Sequence, residues 1–159
     1  MNYLINEGNQ IMTNFQKVSS WNDFAGNKKP SKPEIPESTT VELCLDLICE
    51  ELDELSEAII DRDLTAVIDA VGDLLYVTYG LAHRFGIDAD KALQEVHISN
   101  LSKFCVLEDD AKNTLHKYYD LGVPAEYDLV DGLYVIRNTD TGKILKGVRF
   151  KEPSFKGLF

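Results

Sequence analysis

Five carboxylates fall on two consecutive predicted helices at positions where solvated acids are not expected. Glu50, Glu51 and Glu54 lie in the run CEELDELSEA, and Asp69 and Asp73 in the run VIDAVGDLLYVTYG. At about 100° per residue, Val41, Cys44, Leu47, Ile48, Leu52, Leu55, Ala58 and Ile59 form one apolar arc on the first helix. Glu51 falls inside that arc, Glu54 at its edge and Glu50 a little beyond it. On the second helix Val67, Ile68, Ala70, Val71, Leu74, Leu75, Val77, Leu81 and Ala82 cover much of the circle, and Asp69 and Asp73 make the single acidic stripe. So little polar surface predicts a buried helix. A buried carboxylate is paired, protonated or metal-bound, because leaving it alone is costly. Converging acids on two neighbouring helices therefore predict a divalent-cation site, since hard cations take oxygen ligands. A solvated face is the ordinary explanation of a charge run, and Asp46, Asp53 and Glu57, opposite the apolar arc, fit it.

The elements around these residues follow from local signals. Residues from about Tyr3 to Phe24 read as a helix, with Ile5, Ile11, Met12, Phe15, Val18 and Trp21 as anchors. The connection GNKKPSKPEIPEST holds three prolines and breaks the pattern. Thr39 begins TTVE, a capping-box pattern with Glu42 at the third helical position, and the helix it opens runs to about Ile60. Asp61-Arg62-Asp63 makes a short turn, with Asp63 as N-cap of a helix that Gly86 stops. Asp88 caps a further helix to about Phe104, and a short one covers Asp109 to Tyr119. The short turn makes the two acidic helices antiparallel neighbours, so their carboxylates can meet. Gly72 and Gly80 cost helix propensity, and on the acidic side they are expected to permit close packing. Beyond Gly122-Val123-Pro124 the periodicity changes, and GLYVIRN and KILKGVRF, joined by TDTG, read as a β-hairpin. The expected organisation is a helical domain over residues 1–120 and a hairpin extension with a tail over 121–159.

Composition narrows the function class. A net charge of −11 argues against nonspecific binding of nucleic acid or an anionic membrane. It leaves an anionic substrate open, because bound cations reverse the local charge. Cys44, Cys49 and Cys105 have no CxxC spacing, which argues against a disulfide framework or structural zinc. No apolar run is expected to approach the roughly 20 residues of a bilayer span, and MNYLINEGNQ lacks the features of a signal peptide. A cytoplasmic protein is the expectation.

Glu50-Glu51-Leu52-Asp53-Glu54 is an EExxE motif, and a short turn and an acidic pair follow it. This arrangement resembles the all-α nucleoside triphosphate pyrophosphohydrolases, a superfamily that includes MazG-like proteins, phosphoribosyl-ATP pyrophosphohydrolases and dimeric dUTPases. The second motif of that family is ExxD. Here Ala70 stands three before Asp73 and Asp69 stands four before it, which keeps an acid on the same face with a shorter side chain. Val96-His97-Ile98-Ser99-Asn100-Leu101-Ser102-Lys103 resembles the VHxSNxSK segment of a phage-type, MazZ-like branch, and GKILKGVRFKEPSF resembles its tail.

The resemblance implies an antiparallel helical bundle of mainly α class with a small C-terminal β-hairpin. It implies Mg²⁺ or Mn²⁺ held by Glu50, Glu51, Glu54, Asp69 and Asp73, a homodimer or homotetramer, and hydrolysis of an NTP to an NMP and pyrophosphate. Glu51 or Glu50 would accept the proton of the attacking water, and Asn100 and Lys103 would contact the phosphates. Trp21 is either a core anchor or a stacking platform for a base, Tyr76 either bonds a ligand or lines the cavity, and His97 either packs or touches substrate. His83 and His116 receive no role. A deoxypurine such as dGTP is the preferred substrate expectation, from the phage-like tail. A dUTPase, a phosphoribosyl-ATP hydrolase and a non-catalytic assembly module of the same fold are the alternatives, and the Ala70 departure is what keeps the last of these open.

Overall fold

The computed structural model describes residues 11–158, so the expected helix start at Tyr3 and the anchor Ile5 lie outside the described residues. Five helices and two strands follow in order: α1 (Asn14–Phe24), α2 (Ser38–Ile60), α3 (Leu64–Arg84), α4 (Ala89–Leu101), α5 (Glu108–Asp120), β1 (Ala125–Val130) and β2 (Leu133–Asn138). The class is mainly α with a small antiparallel sheet. Contacts gather the chain into two compact units. One reaches Ala92 and takes in the chain from Lys156, and the other is Leu93–Phe155. Helix α5 thus groups with the hairpin, in the unit that begins at Leu93.

In the first unit, α1 starts later than the apolar pattern suggested. Thr13 accepts from the Gln16 amide, and the Gln16 side chain accepts from the Thr13 amide, a reciprocal cap that fixes the helix start. Phe15, Val18 and Asn22 form its buried stripe, whereas Ile11 and Trp21 are exposed. Helix α2 also departs from expectation. Its N-cap is Glu37, with no side-chain cap bond, and the amides of Thr40 and Val41 already bond the Glu37 carbonyl. Thr39 is therefore inside the helix and cannot take the extended backbone that a capping residue needs, so the TTVE box does not form.

The α2–α3 turn sets the geometry of everything acidic. Arg62 adopts a left-handed φ of 57°. Its amide bonds the Ile59 carbonyl, and the Asp63 amide bonds the Ala58 carbonyl. This is the paired closure that ends a helix in a single residue, here made by arginine rather than glycine. The Asp63 side chain then accepts from the amides of Thr65 and Ala66 and opens α3. Helix α3 ends the same way at Gly86, with φ of 70°.

Helix α3 is not buried, contrary to the expectation from its composition. Ala70, Ala82 and His83 are its buried residues, while Ile68 is 66% and Leu75 52% exposed. The reason is the partner set. Helix α3 packs on α2 along one seam and on α1, which leaves its remaining faces open. By length and composition alone α3 is also apolar enough to cross a membrane, although Asp69 and Asp73 interrupt the run. Neither glycine is needed for tight packing. A Cβ at Gly72 would meet nothing within 4 Å, and one at Gly80 would lie 3.7 Å from Asn22.

A polar tie locks α1 to α3. His83 is fully buried, with Nδ1 2.8 Å from Ser19 Oγ and Nε2 2.9 Å from the Asn27 carbonyl oxygen. A carbonyl only accepts, so Nε2 carries the proton. In the neutral ring Nδ1 then accepts from the Ser19 hydroxyl. The histidine that received no role from sequence is thus a structural connector.

In the second unit the hairpin lies one strand earlier than expected. Strand β2, the GLYVIRN segment, pairs with β1 from Ala125↔Asn138 to Val130↔Leu133, and KILK makes only an isolated bridge, Arg137↔Ile144. The turn is Asp131-Gly132, both residues at positive φ (48° and 84°), the dipeptide and twist that favour a two-residue hairpin loop. Cys105, Ala111 and Ile136 form a small buried core. Gly147 lies so close to it that a Cβ would stand 2.9 Å from both Cys105 Sγ and the Lys103 carbonyl oxygen.

These glycines give opposite expectations. Gly147→Ala must push against a backbone carbonyl and should lose about 1–3 kcal/mol. Gly72→Ala, in open space on a helix, should gain about 0.5–1 kcal/mol. His83→Ala strands a carbonyl and a hydroxyl and should lose about 1–3 kcal/mol or more. Urea denaturation followed by circular dichroism checks all three.

Candidate functional site

Antiparallel helices joined by a tight turn bring residues at equal chain distance from that turn face to face. Arg62 is the pivot, so Glu51 stands across from Asp73, and Glu54 across from the Asp69–Ala70 step. Glu51 is half-buried; Glu50, Glu54, Asp69 and Asp73 are exposed. The electrostatics show the convergence. Partial desolvation pushes the Glu51 carboxyl above its ordinary value, and the carboxylates of Glu54, Asp73, Glu50 and Asp69 add to the rise in that order. Among the described residues none of the five has an ion-pair or hydrogen-bond partner. The acids are therefore neither paired nor deeply buried: exposure makes four of them tolerable, while at Glu51 partial desolvation comes first and the repulsion of its neighbours adds to it.

The set matches what a hard divalent cation takes, oxygen ligands from two facing helices. Like charges hold the side chains apart, and among the described residues no three acidic, histidine or cysteine side chains stand close enough to form a ready-made cage. The glutamates can swing together by rotamer change. Ala70 is buried in the seam and supplies no ligand, while Asp69 is exposed beside it. Toward the turn, Glu54 and Asp69 line a cavity of about 370 Å³ with Glu57, Asp61 and Asp63. Sequence reasoning placed Glu57 on the solvated face and Asp61 in the turn. Glu57 and Asp61 follow Glu54 at i+3 and i+7 and so share its flank of α2, whereas Asp63 and Asp69 join the cavity only through the turn, which a helical wheel does not contain.

On its other side α3 meets α1. Trp21 is 54% exposed and sits edge-on to Tyr76 with ring centroids 5.8 Å apart, so it is not a core anchor. The buried α1 stripe of Phe15, Val18 and Asn22 leaves Trp21 on the flank. Burial raises the Tyr76 hydroxyl pKa above its ordinary value. Tyr76, Tyr79, Leu75 and Val18 line a cavity of about 200 Å³, with Asn14 and Lys17 as its polar lining and Gly72 beside Asp73 at its wall. Asn14, Lys17 and Tyr79 were not singled out from sequence. The i, i+3 spacing of Asn14 and Lys17, whose side chains lie 3.3 Å apart, was the available signal.

His97, Asn100 and Lys103 belong to the second unit. His97 and Asn100 are exposed on α4, and Lys103 is half-buried in the turn after it. The two serines of the motif are engaged by the tail: Ser99 Oγ donates to the Lys151 carbonyl at 2.8 Å, and the Lys151 amide donates to Ser102 Oγ at 2.9 Å. The unassigned His116 lines a separate cavity of about 720 Å³ between α5 and the start of β1, with Lys112, Tyr119 and Pro124.

Comparison with known proteins adds the ancestry. An uncharacterized protein of Acanthamoeba polyphaga mimivirus is 27% identical, over 92% of this chain and 95% of its own length. The family model described as phosphoribosyl-ATP pyrophosphohydrolase matches residues 18–100. That span holds Trp21, both acidic helices and the serine-asparagine pair of α4, and it stops before Lys103 and the hairpin. The match covers just over half of the chain, which therefore belongs to the phosphoribosyl-ATP pyrophosphohydrolase family, all-α enzymes that act on phosphoric anhydrides.

Proposed function

We propose that this chain hydrolyses a nucleoside triphosphate to a nucleoside monophosphate and pyrophosphate with the help of Mg²⁺ or Mn²⁺. The observation that carries the reading is the unpaired convergence of Glu50, Glu51, Glu54, Asp69 and Asp73 on Glu51. A bound divalent cation would neutralise polyphosphate charge and acidify a water. Glu54, Asp69 and Asp73 are the ligands in this reading. Glu51 or Glu50 takes the proton from the attacking water. The oxygen of that water bonds to one phosphorus of the α–β anhydride as the bond from that phosphorus to the bridging oxygen breaks, so that the bridging oxygen stays with the departing group and the products are the monophosphate and pyrophosphate. Tyr76 and Trp21 offer aromatic faces and edges for a base beside this chemistry, and Lys17 and Asn14 offer polar contacts to its rim. The cavity of about 200 Å³ has room for a purine, in keeping with a deoxypurine substrate such as dGTP.

Phosphoribosyl-ATP is the second substrate reading, favoured by the family match over residues 18–100. It needs the same bond cleavage at the same carboxylates. The exposed apolar residues of α2 and α3, among them Leu52, Ile59, Ile68 and Leu75, support association with a second copy of the chain, as a dimer or tetramer.

A hydrolysis panel resolves the substrate. Ribo- and deoxynucleoside triphosphates and phosphoribosyl-ATP are incubated with Mg²⁺ or Mn²⁺, and the products are separated by ion exchange. A monophosphate with pyrophosphate from one or a few nucleotides is expected, and diphosphate with inorganic phosphate would overturn the bond assignment. Glu51→Gln should lower turnover by about 10²-fold or more. The same substitution has a defined effect on stability. A carboxyl whose folded pKa is raised penalises the fold while ionised, and the penalty is relieved as pH falls through that folded pKa. Metal-free Glu51→Gln should therefore melt above the wild type at pH 7, with the gap closing in acid. Light scattering at micromolar concentration should give a dimer or larger.

A further inference from the structure

The polar tie between α1 and α3 is laid out as a nucleophile and its base. Ser19 Oγ lies 2.8 Å from His83 Nδ1, and His83 Nε2 lies 2.9 Å from the Asn27 carbonyl oxygen. That carbonyl fixes the proton on Nε2, so Nδ1 presents its lone pair to the Ser19 hydroxyl. Asp23 Oδ1 stands 3.7 Å from Nε2, where its charge offsets that of the imidazolium formed when the ring takes a proton. A hydroxyl on a base that is itself oriented by a third group is the arrangement that activates a serine.

A tie that only joined two helices would need no access to solvent. Ser19 has that access. It is half-buried, and with Ser20, Asp23, Lys29, Asp88 and Asp90 it lines a cavity of about 580 Å³, large enough for a small molecule. The cavity lies within the first unit and shares no lining residue with the one beside Tyr76 or the acidic one near the turn. Its wall sets the carboxylates of Asp23, Asp88 and Asp90 against the ammonium groups of Lys29 and Lys91. Lys91 is paired with Asp88 at 2.9 Å. The excess is acidic, which disfavours an anionic ligand. His83 is fully buried and does not line the cavity. A leaving group therefore cannot draw a proton from Nδ1 and must depart as a stable anion.

We propose that Ser19 is an acylation site, activated by His83, for an uncharged or cationic activated ester or thioester. Ser19 Oγ bonds to the acyl carbon as its proton passes to His83 Nδ1. The bond from that carbon to the leaving oxygen or sulfur breaks, and that atom keeps the electron pair and departs as phenolate or thiolate. The ring then returns its extra proton to solvent, and the serine keeps the acyl group as an ester. None of the five acids of α2 and α3 takes part, so the site does not rest on the pyrophosphohydrolase reading.

The test treats the full chain with p-nitrophenyl acetate near neutral pH and locates the acetyl group by peptide mass mapping. Ser20 is the internal control, because it lines the same cavity and bonds no histidine among the described residues. Ser19 should be acetylated at least about 10²-fold faster than Ser20, the advantage of a positioned base. His83→Gln offers an amide oxygen to Ser19 and an amide N–H to Asn27 without a base. It should lose that advantage in protein whose circular dichroism is unchanged. Equal rates at Ser19 and Ser20, or no acetyl on Ser19 of the wild type, overturns the site, and this comparison decides alone should His83→Gln fail to fold. An unchanged Ser19 rate in folded His83→Gln overturns the role of His83 as base.

Discussion

Everything acidic in this molecule depends on the seam between α2 and α3. Cys44, Ala58, Ala70 and Ala82 are the small apolar residues buried on these two helices. The closure at Arg62 and Asp63 fixes where the approach begins. Once pivot and seam are set, Glu51 has no choice but to face the carboxylates of the opposite helix. Partial desolvation of Glu51 and the repulsion of its neighbours are a standing cost, expressed in the raised Glu51 pKa, and the packing of the two helices must exceed it. A group of unpaired acids held against its own repulsion is the kind of local conflict that the rest of a fold tolerates at a functional site.

That logic separates what was legible from what was not. Asp63, Gly86 and Asp88 act through bonds to residues two to five positions away, and they stand where the sequence put them. The TTVE pattern uses the same chemistry and failed, because the helix had already begun at Ser38. A capping motif describes a possible start, and the chain takes the first that its preceding backbone allows. The hairpin failed for a related reason. Two turn signals competed, Asp131-Gly132 and TDTG, and only the first places two residues at positive φ with a matching strand on each side.

Burial was the least legible property. The helical wheel located the acidic stripe of α3 correctly but assumed that an apolar circumference must be covered by the same chain. Within its unit α3 has α1 and α2 to pack against, and Ile68 and Leu75 remain open. The wheel reports which residues favour a dry environment, and it is silent on who supplies it. The inference from buried acids to a cation therefore changes its footing: its support is now the convergence of unpaired carboxylates on the one among them that is partly desolvated, Glu51.

Where apolar packing is thin, polar side chains do the joining, and they are fully used. No buried side-chain nitrogen or oxygen among the described residues lacks a partner. His83 joins Ser19 of α1 to the carbonyl of Asn27, and Thr114 takes the Val148 amide while donating to the Asp110 carbonyl. Such ties are directional, so they fix register where a small core would let elements slide. Serine, threonine and histidine scattered through helices carry no periodic signal, which is why sequence reasoning passed over His83 and read Ser99 and Ser102 only as part of a motif. Their bonds to Lys151 supply a structural reason for hydroxyls at these two places. They also mean that the SNxSK segment acts on the tail through its serines, whatever Asn100 and Lys103 contact.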